Sequence, residues 1–245
     1  MIIIDDCSLT PNPANINSAV SAKVGVTEFP SVLSQASWAQ IAQASELGIA
    51  SSLWSVGDEI DITVSGEKLT LVIMGFNHDD KADGSGKAGI TFGMKNLMAS
   101  TRAMNNSNTN SGGFTGSAMY TWLTGTLLPA LPSDLQAVLK SVNKKTSAGS
   151  QSSTINTNAM KVFLFSEIEI FGSVTDSKSG EGSQYDYFAT AANRRKYLSN
   201  GSGSAKAWWE RSPMGSAGFG IVSSSGGAIS GVASYSRGVC FGFCV

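Results

Sequence analysis

Charge is what this sequence has least of. Only 14% of its 245 residues are Asp, Glu, Lys or Arg, against roughly a quarter in ordinary soluble domains. Ser, Asn, Thr and 27 Gly take their place, so the surface is expected to be polar but weakly charged. The 17 basic residues nearly balance 18 acidic ones, giving a formal net charge of −1, and outside Lys144-Lys145 and Arg194-Arg195-Lys196 they are dispersed. A nucleic-acid partner requires a clustered basic face that releases phosphate counterions, so none is expected. Long apolar runs are missing too. None approaches the roughly 20 residues that span a bilayer, which argues against membrane insertion. Met1-Ile2-Ile3-Ile4 runs straight into Asp5-Asp6, too short and in the wrong order for a secretory signal. The expectation is a soluble chain that, if it acts outside a cell, leaves without that signal.

Histidine and cysteine are scarce as well. His78 is the single histidine, so any Ser-His-Asp or Cys-His hydrolase would have to run through it. No nucleophile elbow or catalytic-cysteine pattern accompanies it, and a non-enzymatic protein is expected. The three cysteines, Cys7, Cys240 and Cys244, are an odd number and argue against a disulfide framework. Cys240 and Cys244 would stand about 13 Å apart on an extended strand, too far to pair. Both read as small buried hydrophobes.

What is present reads as short elements between polar loops. Residues 1–36 open with Pro11 and Pro13 and continue into a loose Val20–Val26 alternation, an extended arm that docks on the main domain or on a partner. Ser37 caps a helix through Leu47, stopped by Gly48. Glu59–Val64 and Leu69–Gly75 form a hairpin around Ser65-Gly66-Glu67-Lys68. Met119, Trp122, Leu123 and Leu127 fit one helix. Leu135, Val138, Leu139 and Val142 fit a second, begun by Pro132. Residues 143–160 read as loop or a long hairpin tip, and Lys161–Phe165 as a strand that Glu167–Phe171 continues. Phe219–Ser223, Ala228–Ala233 and Val239–Val245 close the chain as three strands. The fold class is α+β: a small twisted antiparallel sheet, two or three short helices and long loops over residues 37–245, preceded by the arm.

Three constellations carry chemistry. His78, Asp79, Asp80 and Asp83 sit with Gly84 on a polar loop whose oxygens suit Ca²⁺ or Mg²⁺. Their spacing fails the EF-hand pattern, and a hairpin tip with turn-forming carboxylates is the plainer reading. Glu167 and Glu169 would share one strand face about 6.6 Å apart, a weak basis for glycosidase chemistry. Trp208-Trp209-Glu210-Arg211-Ser212-Pro213 is the most unusual string. Adjacent tryptophans on a strand face opposite sides, so one anchors the core while the other lines a surface or packs under a loop, and Arg211 points like Trp209, available for a buried hydrogen-bonded role.

That string, with the closing Gly238–Val245 strand, resembles the DUF6273 family. Upstream, the Trp38 helix, Trp54–Asp58, Gly75–Asp79 and Leu164–Glu167 resemble it more diffusely. The likeness implies a C-type-lectin-like fold, related to that of formylglycine-generating enzymes, and an origin in gut Firmicutes or their phages. Cys240–Gly242 departs from the family's usual Arg-Pro-Ala, and nothing matches the formylglycine enzyme's cysteine pair, so no activity carries over.

The resemblance implies a phage virion protein, assembled in the bacterial cytoplasm and displayed outside it. Residues 1–36 would attach it to other virion subunits as a homo-oligomer, while loops bind host-surface glycans. Candidate ligand contacts are Tyr185, Tyr187, Trp209, Arg211, Met214, Phe219, Tyr235 and Arg237, with no cofactor beyond the candidate Ca²⁺ loop. A purely structural capsid or tail component is the alternative.

Overall fold

A computed structural model describes residues 28–201 and 203–245. Among these residues, ten strands and several short helices make a mixed α+β fold. The strands are β1 (Glu59–Val64), β2 (Glu67–Phe76), β3 (Ile90–Met94), β4 (Val142–Ser147), β5 (Ile155–Met160), β6 (Val162–Leu164), β7 (Trp208–Met214), β8 (Gly218–Val222), β9 (Ala228–Val232) and β10 (Phe241–Cys244). They form a five-stranded antiparallel sheet in the order β1-β2-β3-β10-β6, the hairpin β4-β5, and a three-stranded antiparallel sheet β7-β8-β9.

Side-chain alternation explains the edge of the large sheet. In β1, Ile60, Ile62 and Val64 point inward and the intervening residues outward. The connection to β2 is the two-residue turn Ser65-Gly66, both at positive φ (50° and 83°), which matches the twist of a tight hairpin. The middle strands β3 and β10 are buried at every position, because both faces of the sheet are covered. On one face lies the helix Trp38–Glu46, started by a capping box between Ser37 and Gln40. Its Trp38 meets Phe92 edge-on at 5.3 Å and Phe243 at 5.9 Å.

Aromatic rings fill the other face. Phe165 packs edge-on against Phe163, Tyr185 and Phe188, and Phe188 stacks on Trp208. Gly93 and Gly242 are register partners on β3 and β10. A Cβ on either would stand 2.7 or 2.6 Å from Phe165 Cζ, so the missing side chains make the seat for that ring.

Several sequence expectations need correction. Residues 1–27, with the expected Val20–Val26 strand, lie outside the described residues. Residues 28–36 pack on the domain: Trp54 Nε1 donates to Pro30 O at 3.1 Å, Gln40 Nε2 to Glu28 O at 3.0 Å, and Leu33 is buried. Val142 belongs to β4 and not to a helix, since the Ser133–Val138 helix ends and Leu139 turns extended (φ −60°, ψ 124°). The stretch 143–160 is mostly the β4-β5 hairpin. Glu167–Phe171 is helical, because Ser166 and Glu169 form a capping box and Gly172 at φ 75° closes the turn. The expected Met119 helix begins at Ala118, passes through a π-helical stretch at Leu123–Leu127 and ends at Ala130. Among the described residues, no helix is long and apolar enough to cross a membrane.

Candidate functional site

The two sheets and the β4-β5 hairpin meet around a buried chain of charges. Asp79 comes from the loop before β3, Lys144 from the inward face of β4, Glu169 from the Glu167–Phe171 helix, and Arg211 from β7. All four are buried. Lys144 Nζ donates to Asp79 Oδ1 at 2.7 Å and to the Tyr185 hydroxyl at 2.8 Å, and pairs with Glu169 Oε1 at 2.6 Å. Arg211 grips Glu169 with both prongs, Nη2 to Oε1 at 2.8 Å and Nη1 to Oε2. Its other donors reach the carbonyls of Lys145 (3.1 Å), Leu164 (2.9 Å) and Glu181 (2.7 Å). Every guanidinium N–H is thereby used.

Alternating sign is what makes this cluster tolerable. Burial would push the Asp79 carboxyl up, but the Lys144 ammonium and His78 hold it well below the usual carboxylate range. Burial acts likewise on Glu169, and Arg211 with Lys144 overcomes it. Asp79 Oδ2 also accepts from Thr91 Oγ1 and from the Tyr185 hydroxyl, each at 2.7 Å, and from Cys244 Sγ at 3.4 Å. Burial and the Asp79 charge hold Tyr185 and Cys244 far above their ordinary values, so both stay protonated as donors. A charge pair this dry is a weak source of net stability but costs several kcal/mol to break.

Two more buried acids flank the chain. Glu181 accepts from Ser147 N at 2.6 Å and from Ser212 Oγ, and burial raises its pKa. Among the described residues, Glu210 has no hydrogen-bond partner on either oxygen. Burial, with the charges of Glu167 and Glu181, raises its pKa well above the ordinary value, which favours the neutral acid. Its carboxyl lies against Gly220, where a Cβ would come within 2.2 Å of Oε2. Lys196, also buried, donates to the carbonyls of Met94 (2.7 Å) and Lys95 (2.9 Å), with the Phe188 ring 5.5 Å away. Burial lowers its pKa.

Three clefts open around this scaffold. One of about 330 Å³ lies over the charge chain, walled by His78, Asp80, Lys87, Asn143, Lys145 and Gly180–Ser183. In it His78 stacks on Tyr185 (3.9 Å, 26°). Its Nε2 lies 3.1 Å from both the carbonyl and the hydroxyl of Ser183, and its Nδ1 lies 3.6 Å from Asp79 Oδ2, beyond hydrogen-bond reach. A second, of about 360 Å³, includes Tyr187, Asp186, Asn193 and the Glu59–Lys95 pair. Burial pushes the Tyr187 phenol up to about 12. A third, of about 540 Å³, is bounded by Met214–Gly218, Ser230–Val232, Asn108 and Asp176.

The expected site residues divide accordingly. Tyr185, Trp209, Arg211 and Phe219 are fully buried and Met214 nearly so, which corrects their reading as ligand contacts, because they offer almost no surface. Trp209 does not line a surface either: its Nε1 donates to Arg102 O at 2.7 Å, as Trp208 Nε1 does to Arg194 O at 2.9 Å. Tyr187 and Arg237 are half-buried, and Tyr235 is 57% exposed. The expected Ca²⁺ loop does not gather. Asp79 is committed to the charge chain, Asp80 pairs with Lys87 at 3.1 Å, and Asp83 Oδ1 accepts from Ser85 N and Oγ. His78 turns to Ser183. Among the described residues no group of three or more His, Cys, Asp or Glu could hold a metal ion. Glu167 and Glu169 do not face each other on a strand. Glu167 accepts from Thr175 N and Ser177 N while Glu169 is locked to Arg211. Cys240 and Cys244 are buried free thiols.

Glu181 was not singled out by the sequence, and Lys144, Lys196 and Glu210, though named in charged or unusual strings, carried no expectation of burial. The Lys144 position carried a signal, since it alternates with Val142 and Thr146, but lysine is almost never fully buried without a partner, and the partners come from 25 or more residues away in the chain.

The family model for a domain of unknown function, DUF6273, matches residues 88–245, more than half of the chain. The chain belongs to the DUF6273 family. No curated protein and no solved structure matches it. Three of the four charges, on Lys144, Glu169 and Arg211, lie inside the DUF6273 match. Asp79, β1 and β2 lie before it, yet β2 pairs with β3 in one sheet. The DUF6273 stretch is therefore completed, in this chain, by the residues that precede it.

Proposed function

We propose that this DUF6273 protein is a non-enzymatic display protein of a phage virion, with a C-type-lectin-like domain that binds glycans on a bacterial surface. One observation supports it most. The signature string of β7 is buried at every position, so its tryptophans and arginine serve as scaffold. The open surface is left to what they hold: the Gly215–Gly218 turn, strand β9 and the Tyr235–Arg237 turn. That surface is rich in Gly and Ser and edged by exposed Tyr235, suited to shallow polar ligands. In the cleft over the charge chain the Ser183 hydroxyl does lie 3.1 Å from His78 Nε2, but that nitrogen is shared with the Ser183 carbonyl. Nδ1, 3.6 Å from Asp79 Oδ2, has no hydrogen bond among the described residues that would orient the ring as a base.

The test is binding of purified protein to a glycan array and to whole bacterial cells. Saturable binding that a Tyr235→Ala variant weakens is expected. Absence of binding to any glycan or cell would sink the receptor role.

A structural role in a capsid or tail, without receptor binding, is favoured by a different feature. Strand β9 is an edge strand, and its Ile229 and Val232 are 46% and 36% exposed, surface that a neighbouring subunit would cover. In either reading the arm, residues 1–36, attaches the domain to the particle as a homo-oligomer, its last part, 28–36, packing on the domain and leaving residues 1–27 for the neighbouring subunits. Deleting them should keep the domain folded and abolish incorporation. Normal incorporation of the truncated chain would refute the attachment role.

A further inference from the structure

One surface cluster gathers cations without acids. Arg102 and Arg237 face each other across an antiparallel bridge, Arg102 N donating to Arg237 O at 2.9 Å and Arg237 N to Arg102 O at 3.0 Å. Residues paired this way send their side chains to the same side, with Cβ atoms about 5 Å apart, and like charges so placed repel. Neither guanidinium makes an ion pair among the described residues. Each lies on an aromatic ring instead: Arg102 Cζ is 4.1 Å from the centre of Trp122, and Arg237 Cζ is 5.8 Å from that of Tyr235. Arg237 Nη1 spends one donor on the Ser236 carbonyl at 3.1 Å. Among the described residues the rest of the fork makes no hydrogen bond.

The pair is also held in place. The buried Trp209 donates to Arg102 O, and Asn105 N to Ala233 O at 3.0 Å continues the pairing of the two segments. Partial burial, with no anion to offset it, lowers the Arg102 pKa. Such an arrangement costs stability unless an anion arrives to neutralise it.

We propose that Arg102 and Arg237, flanked by Trp122 and Tyr235, form a subsite for the carboxylate of an acidic saccharide. Two guanidinium forks match a carboxylate in pairs of hydrogen bonds, and the ring faces suit the apolar face of a pyranose. One cation pair on an otherwise weakly charged surface serves one anionic group. A nucleic acid would need a row of phosphate contacts, and a phosphodiester polyol offers no ring face to stack. The inference rests on the glycan-binding reading above and narrows its ligand to acidic sugars.

Calorimetric titration of the full chain tests it, with polygalacturonate, dextran and poly(glycerol phosphate) as probes. Wild type should bind polygalacturonate, more weakly as salt rises, and ignore dextran. Arg102→Ala and Arg237→Ala should each weaken binding about tenfold or more, with Arg237→Gln as the gentler change should either variant melt early. Unchanged affinity in the folded variants, equal binding to dextran, or binding to poly(glycerol phosphate) alone would overturn the subsite. Should the protein bind bacterial cells but not polygalacturonate, this subsite fails and the display reading survives. Binding to nothing would remove both.

Discussion

Arg211 and Glu169 are joined by two parallel hydrogen bonds inside the protein, and every remaining guanidinium donor reaches a main-chain carbonyl. The pair ties β7 to the Glu167–Phe171 helix and, through Lys144 and Asp79, to β4 and the loop before β3. Four segments distant in sequence are therefore locked by one run of alternating charge. Removing any one charge leaves at least one buried neighbour short of an opposite charge.

Arg211→Ala should accordingly destabilise the fold by about 3–5 kcal/mol. Arg211→Lys should recover little of it, because an ammonium cannot span both carboxylate oxygens and three carbonyls at once. Urea unfolding of the variants measures this. A loss under about 1 kcal/mol for the alanine variant would mean that the pair is dispensable.

Glu210 predicts the opposite sense. Its folded pKa lies above the unfolded value of about 4.3, so its contribution is fully present below that pH and is lost as pH rises through the folded value. Each pH unit in that window costs about 1.4 kcal/mol. Glu210→Gln keeps the shape against Gly220 and cannot ionise. It should raise the melting temperature at pH 7 and leave it unchanged near pH 4. A variant that melts lower at pH 7 would show that the carboxyl has a buried partner after all.

Asp79 and Glu169 govern the acid side. Their folded values are depressed, so the stability they confer is present above about pH 4 and lost as pH falls through the folded values. Wild type should therefore unfold more readily from about pH 4 downward. Asp79→Asn should be less stable at pH 7, with Lys144 left one acid short, but should show a flatter acid limb in thermal melts between about pH 5 and pH 2. Equal acid slopes in both proteins would deny Asp79 this role.

Much of the frame was legible from residue order, and the failures have physical causes. The β1-β2 hairpin follows from strict alternation and Ser65-Gly66, and the Trp38–Glu46 helix from Ser37. At Glu167–Phe171 the isoleucines alternate like a strand, yet Ser166 and Glu169 were three apart, the capping-box spacing, and that local bond decided the outcome. At Val142 one spacing served both periods: four residues after Val138 fits a helix, while two before Lys144 fits a strand, and pairing with Met160 settled it. The charge chain was not legible as a unit. Nothing local marks Lys144 as buried until Asp79 and Glu169 are folded against it. The Trp-Trp step announces one core anchor, but alternation sends Trp209 to the other side, where it reads as a ligand contact; the segment carrying Arg102, whose carbonyl accepts from its Nε1, is what buries it.

The seat beneath Phe165 gives a last prediction, independent of charge. Gly93 and Gly242 leave room for the ring at the middle of the sheet, where Phe165 also carries Phe163, Tyr185 and Phe188. Both glycines are in ordinary strand pairing, so alanine is conformationally welcome there and only space decides. Gly242→Ala should cost about 1–3 kcal/mol through overpacking. Phe165→Leu alone should also destabilise, by leaving a void. Combined, the two should lose less than their sum, because the smaller side chain vacates the volume that the new methyl needs. A double-mutant cycle by chemical denaturation measures that coupling, and strict additivity would mean that Phe165 does not rest on this glycine pair.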